Sequence, residues 1–302
     1  RYDSSRVCAK YHRCNFSYNI CLLFSTNDIL RVMNLKKFGL TLLCLSTNSW
    51  AQVSYIDYES PFHSTIGSSG MVVSQNQASS NIGIEVLNMG GNAIDAAVAV
   101  GFSLAVTLPR AGNIGGGGFM LVYLKNEQKT IAVDFRSAAP KNISKDDYLF
   151  LKNNYDQRRY GYKASAVPGT IAGLLQTHKR FGNLPLKKIL EPVIKQASTG
   201  ILVSYDLHHA IGSANQINLD QESQKIYLNN GVPVKEHFIM KRPDLAWTFG
   251  EIAKHGEQAF YSGSIAKKIV DAMQQNGGFI NLEDLKSYQP RFAEPIQTNY
   301  RN

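Results

Sequence analysis

The chain has 302 residues, 44% of them apolar and 18% charged. That balance excludes a disordered chain and a coiled coil and leaves room for one large domain or two ordinary ones. The formal charge of +9 would suggest an anionic partner, but residues 1–51 hold seven Lys/Arg against two Asp/Glu and the rest holds 25 against 21. Pairs such as Lys187-Lys188 and Lys267-Lys268 read as solvated helix faces, so no nucleic-acid partner is expected.

The four cysteines, Cys8, Cys14, Cys21 and Cys44, all lie before residue 51. From Met33, "MNLKKFGLTLLCLSTNSWAQ" has the layout of a secretory signal: Lys36-Lys37, an apolar run over Phe38–Leu45, and Ser49-Trp50-Ala51 as a small-x-small cleavage site. The run is too short to span a bilayer. Leu42-Leu43 lacks the small residue that would make Cys44 a lipidation site. The expected organisation is an upstream segment outside the native protein or disordered (1–32), a signal peptide (33–51) and an exported, disulfide-free domain (52–302), periplasmic or secreted.

Residues 52–69 read as an extended lead-in and "GMVVSQ" (70–75) as a short strand. From Ala78 a helix places Ile82, Val86 and Met89 on one side and stops at Gly90-Gly91. Asn92, with Asp95 three residues on, caps a second helix, "AIDAAVAVGFSLAVT", which is apolar nearly all round and therefore buried in a layered protein. After Pro109 and the run Gly115–Gly118, "FMLVYL" and "TIAVDF" form a hairpin around "KNEQK". "AVPG" (166–169) turns into a helix that stops at Gly182. Pro185 opens another, closed by Gly200. Helices "SIAKKIVDAMQQN" and "NLEDLKSYQ" follow, and "EPIQTNYRN" starts like a strand. The sum is a mixed α/β chain without repeats.

The glycine run is the wrong way round for a phosphate loop. Such loops follow a strand and precede a helix, whereas here a helix precedes and a strand follows. Glycine also permits tight bends and close backbone contact, so the run reads as wall and packing. No cofactor is expected, and His208-His209, adjacent on a helix, face different directions and lack a third metal ligand. Ser165 and Ser204 have no base or elbow context. Arg136 leaves the second hairpin strand where its side chain can reach a cleft. From the strand alone it either pairs with Asp134, two residues away on the same face, or offers a planar guanidinium to a carboxylate ligand.

Four motifs in order, "MVVSQNQASSNIGIEVLNMGGNAIDAAVAVGFSLAVTLPRAGNIGGGGFMLVY", "VDFRSAAP", "ASAVPGTIAGL" and "FYSGSIAKKIVDAMQQNGGFINLEDLKSY", make the chain similar to bacterial gamma-glutamyltransferase (gamma-glutamyl transpeptidase, glutathione hydrolase) from about Gly70 to Asn302. The resemblance implies an incomplete αββα sandwich of the N-terminal-nucleophile hydrolase class, in a precursor that cuts itself into a large and a small subunit. It implies glutathione and other gamma-glutamyl compounds as substrates, a threonine at the new N-terminus as nucleophile, and Arg136 of "DFR" as the clasp on the substrate α-carboxylate. Ser137 departs from the Glu that usually follows this Arg. No threonine here stands in the "Thr-Thr-His" context of the cleavage point. The nucleophile and the small-subunit partner are therefore expected beyond residue 302, and this chain is expected to be an inactive portion of the large subunit. The runner-up readings are a non-catalytic exported gamma-glutamyl or amino-acid binding protein and a beta-lactam acylase of the same family. Truncation would leave part of helix 93–107 uncovered.

Overall fold

A computed structural model describes residues 65–214, 217 and 220–301. The expected signal peptide, the segment before it, all four cysteines and most of the lead-in lie outside the described residues. The compact unit that remains is Gly67–Asn302.

Local chemistry sets the helix ends. The Asn76 side chain accepts from Ala78 N and Ser79 N and opens α1 (Gln77–Asn88). Gly90, at φ 86°, turns the chain out of it. Asn92 and Asp95 form a capping box at the start of α2 (Ala93–Thr107), ten of whose fifteen residues are buried. The strand expected over 70–75 does not form: these residues have no ladder partner among the described residues. Ser74 is drawn into the cap of α1, its hydroxyl donating to Asn76 O at 2.8 Å.

The chain then forms the antiparallel pair β1 (Phe119–Leu124) and β2 (Lys129–Asp134). Helices α3 (Lys145–Asn153) and α4 (Tyr155–Arg159) lead to α5 (Thr170–Phe181) and α6 (Leu186–Thr199). A smaller region carries β3 (Ile201–Leu202), α7 (Tyr205–Ser213), α8 (Gln221–Tyr227), β4 (Leu228–Asn229), β5 (Val232–Pro233) and β6 (Ile239–Met240). The last helices are α9 (Pro243–His255), α10 (Glu257–Tyr261), α11 (Ser264–Gln275) and α12 (Leu282–Lys286). The final strand, β7 (Arg291–Ala293), lies upstream of the expected position. Residues 294–301 join no ladder, and Pro295 has no N–H to offer one.

The core lies around α2. It packs against α1, α5 and α6, and Phe102 meets Phe249 of α9 edge to face at 5.4 Å. Each large side chain buried there contributes roughly 1.5–3 kcal/mol. Polar groups within the core are paired: Ser103 Oγ lies 2.8 Å from Ser79 Oγ and 2.7 Å from Gln196 Oε1.

The main sheet runs β1-β2-β7, all antiparallel, with Phe119 opposite Asp134 and Asp134 opposite Arg291. Val122 and Val133 point into the helical layer and are buried, whereas Phe119, Leu121 and Tyr123 on the other face are 69%, 69% and 59% exposed. One helical layer thus covers one face of the sheet. Besides this open face of the sheet, α2 is itself partly uncovered, its Ala97, Gly101 and Leu104 lining a groove of about 890 Å³.

Candidate active site

The glycine run is threaded between the end of β2 and the start of α5. Gly118 prolongs the hairpin, exchanging bonds with Phe135 at 3.2 and 2.9 Å. Gly117 presses on the next peptides, and a Cβ there would lie 2.4 Å from Ser137 N and 2.5 Å from Phe135 O. Gly116 O accepts from Gly169 N at 2.8 Å and Thr170 N at 3.1 Å. A backbone carbonyl thus occupies the donors at the N-terminus of α5, the very groups an anion would need. Close packing, not phosphate binding, accounts for Gly117 and Gly118.

Arg136 emerges from this junction, exposed, beside a pocket of about 380 Å³ lined by Asp134, Lys141, Asp284, Tyr288 and Arg291 among others. Of the two readings left open for Arg136, the ion pair with Asp134 does not form. Asp134 Oδ1 accepts the backbone N–H of Arg136 at 3.0 Å, and Asp134 Oδ2 pairs with Arg291 Nη2 at 3.3 Å. Asp284, buried, accepts from Lys141 N at 2.9 Å and from Asn281 N at 3.1 Å. Among the described residues, no carboxylate lies within ion-pair distance of the Arg136 guanidinium.

The segment around Arg136 is held on several sides. Ala138 and Val167 form an antiparallel bridge at 3.1 and 2.8 Å. The Tyr288 hydroxyl donates to Arg136 O at 2.8 Å, and its ring stacks on Tyr261 with centroids 5.9 Å apart and planes 7° apart. The buried Tyr261 hydroxyl donates to Pro168 O at 2.8 Å and accepts from Ala172 N at 3.2 Å, fixing the turn into α5. Burial pushes both phenols above their ordinary range, and at Tyr288 the Asp134 carboxylate adds to the effect.

The other candidates have structural partners. His208 Nδ1 lies 2.8 Å from Val234 O, while the His209 ring stacks on Tyr205. Ser204 caps α7, accepting from Leu207 N at 3.2 Å, and Ser165 donates to Gly161 O at 3.3 Å. Sequence reasoning missed Lys141, Tyr288 and Arg291, which no local pattern connects to Arg136. It also passed over the basic, aromatic stretch at α4, where the Arg158 and Arg159 guanidinium groups lie 5.4 and 5.7 Å from the centre of the Tyr155 ring.

A helical layer on an antiparallel sheet, with a guanidinium just past the end of its central strand, has the form of part of an N-terminal-nucleophile hydrolase. Residues 79–302 match the family Gamma-glutamyltranspeptidase, and the chain belongs to that family. It is 39% identical over 253 residues to the glutathione hydrolase proenzyme of Escherichia coli K12, covering 82% of this chain and 43% of that protein. The chain therefore spans less than half the length of this curated relative. In three dimensions it is similar to the gamma-glutamyltranspeptidase of Helicobacter pylori, with a TM-score of 0.74 and 37% identity over 79% of this chain and 69% of that one. The gamma-glutamyltranspeptidase of Pseudomonas nitroreducens gives a TM-score of 0.71 at 38% identity, over 78% and 70% of the two chains. The fold class expected from the sequence is thus the one observed.

Proposed function

We propose that this chain is the substrate-gripping portion of an enzyme that cleaves gamma-glutamyl amides, glutathione among them, and passes the glutamyl group to water or an amino acid. Arg136 holds the α-carboxylate of the glutamyl group. The observation that carries the reading is the guanidinium at the pocket rim, without an ion-pair partner among the described residues, Asp134 being engaged by Arg291. A planar guanidinium donates two parallel hydrogen bonds to a carboxylate, which fixes the orientation of the ligand as well as its position. That orientation lets only the gamma-linked amide reach a nucleophile.

The nucleophile in this reading is a threonine at the N-terminus of a second subunit, supplied by polypeptide outside this chain. Its own α-amine, with a pKa near 8, takes the hydroxyl proton as the amide carbon is attacked. Collapse of the tetrahedral adduct breaks the C–N bond and hands that proton to the departing amine, and the glutamyl-enzyme ester left behind is cleaved by water or by an acceptor amine. An exported location, resting on the signal-like segment at 33–51, belongs to the same proposal.

The test is Arg136→Ala in the complete enzyme, followed with a gamma-glutamyl anilide. Loss of positioning lowers kcat/KM about 100-fold or more while the fold is kept. Unchanged kinetics refute the assignment. Retention of a gamma-glutamyl ligand with no aniline released by the unsubstituted protein marks a binding protein instead.

A further inference from the structure

We propose that Tyr288 is a positioning residue for Arg136, its hydroxyl fixing the peptide from which the guanidinium projects. The inference rests on the reading of Arg136 as the carboxylate anchor. Ladder bonding of β2 ends with the Phe135–Gly118 exchange and backbone pairing resumes only at Ala138. Between these points both backbone groups of Arg136 are held by side chains, the N–H by Asp134 at 3.0 Å and the carbonyl by Tyr288 at 2.8 Å. A residue just past the end of a strand otherwise has free φ and ψ, and a small rotation there moves a guanidinium several bonds away by ångströms.

Tyr288 is itself located from two directions. Its ring lies flat on Tyr261, whose hydroxyl is fixed by Pro168 and Ala172. Below the hydroxyl is Gly169, where a Cβ would come within 2.2 Å of Tyr288 Oη and 2.1 Å of Phe135 O. Only a residue without a side chain lets the phenol reach Arg136 O. Because burial and Asp134 raise its pKa, the phenol stays protonated and remains a donor through the neutral and mildly alkaline range. A group serving stability alone would give the same hydrogen bond, so the test must read substrate binding separately from folding.

The experiment uses the complete enzyme with Tyr288→Phe, Arg136→Lys and the double substitution, measuring kcat and KM for a gamma-glutamyl anilide and the thermal midpoint of each. Ser103→Ala removes a buried hydroxyl away from the pocket and reports how far KM follows stability alone. Tyr288→Phe keeps the ring stack and removes only the donor. It should raise KM about fivefold to tenfold with kcat within about twofold, the size expected for one lost positioning hydrogen bond. If the hydroxyl acts through Arg136, the KM increase in the double variant falls well short of the product of the two single increases. The inference is overturned if Tyr288→Phe moves KM no more than Ser103→Ala does while Arg136→Lys raises it, or if the two single effects multiply. Should Arg136→Lys itself leave KM unchanged, the anchor reading falls and the role of Tyr288 falls with it.

Discussion

Asp134 and Arg291 face each other across the β2–β7 ladder, and the 3.3 Å contact between their side chains keeps the carboxylate off the Arg136 guanidinium. Both members are partly solvent-exposed, so the pair adds little stability, about 0–1 kcal/mol. Its consequence is competitive. Without Arg291, the Oδ2 atom of Asp134 is free to accept from the Arg136 guanidinium and occupy donors a substrate carboxylate needs. Arg291→Gln in the complete enzyme is therefore expected to leave the thermal midpoint nearly unchanged while raising KM several-fold. The increase should shrink in high salt, which screens the new Asp134–Arg136 attraction. A KM that stays constant across ionic strength counts against this account.

The buried Asp95 carboxylate serves two elements at once. It accepts from Asn92 N at 2.9 Å within its own capping box, from Asn183 N at 3.0 and 3.1 Å, and from Leu184 N at 3.2 Å, so it fastens the α5–α6 connection to the start of α2. Asp95→Ala strands these N–H groups and should cost about 3–5 kcal/mol, as removal of one member of a buried charged network does. Asp95→Asn keeps one acceptor oxygen and should cost less. Urea unfolding of the two variants checks the order. Equal losses would show that the negative charge and both acceptor oxygens are needed at this position, since Asn keeps the side-chain volume and only one acceptor.

The parts of this fold legible in the sequence are those governed by neighbours in the chain. Asn92 with Asp95, Gly90, Gly200 and Gly277 mark helix ends because caps and left-handed turns act over three or four residues. The strand expected at 70–75 fails because a short apolar run is only half of a strand. The other half is a partner, and none is present among the described residues. Around Arg136 the decisive contacts join residues 143, 152 and 157 positions apart: Lys141 with Asp284, Arg136 with Tyr288, and Asp134 with Arg291. No periodicity encodes such pairings. For that reason it is the register of β7, setting Arg291 opposite Asp134, that decides between an Asp134 partner for Arg136 and a guanidinium unpaired among the described residues.

Members of the glycine run are predicted to differ sharply. An added Cβ at Gly117 would meet backbone atoms at 2.4 and 2.5 Å, whereas one at Gly115 meets only the Asn113 side chain at 3.5 Å. Backbone cannot yield as a side-chain tip can, so Gly117→Ala should destabilise by about 1–3 kcal/mol or more and displace Arg136. Gly115→Ala should change stability by no more than about 0.5 kcal/mol. Measuring both thermal midpoints tests the distinction. A loss of activity in Gly115→Ala at full stability would indicate that a group outside this chain approaches the open side of that residue.

Glu257 gives the fold a pH dependence whose sign can be derived. Burial raises its carboxyl above the ordinary carboxylate range, opposed by the hydrogen bond it accepts from Gln176 at 2.9 Å and by Lys179. The native state therefore holds this proton to higher pH than the unfolded chain does. Stability falls as pH rises through the window from the unfolded pKa to the folded one, and the loss persists at neutral pH. Glu257→Gln stays neutral at every pH and its amide oxygen can still accept from Gln176, so the variant should be slightly more stable than the parent at pH 7. That advantage should fade as the pH is lowered toward 4, where the parent carboxyl is protonated as well. Thermal midpoints of the two proteins across that range decide the matter: a variant less stable at neutral pH would mean that the ionised carboxylate is worth more to Gln176 and Lys179 than its burial costs.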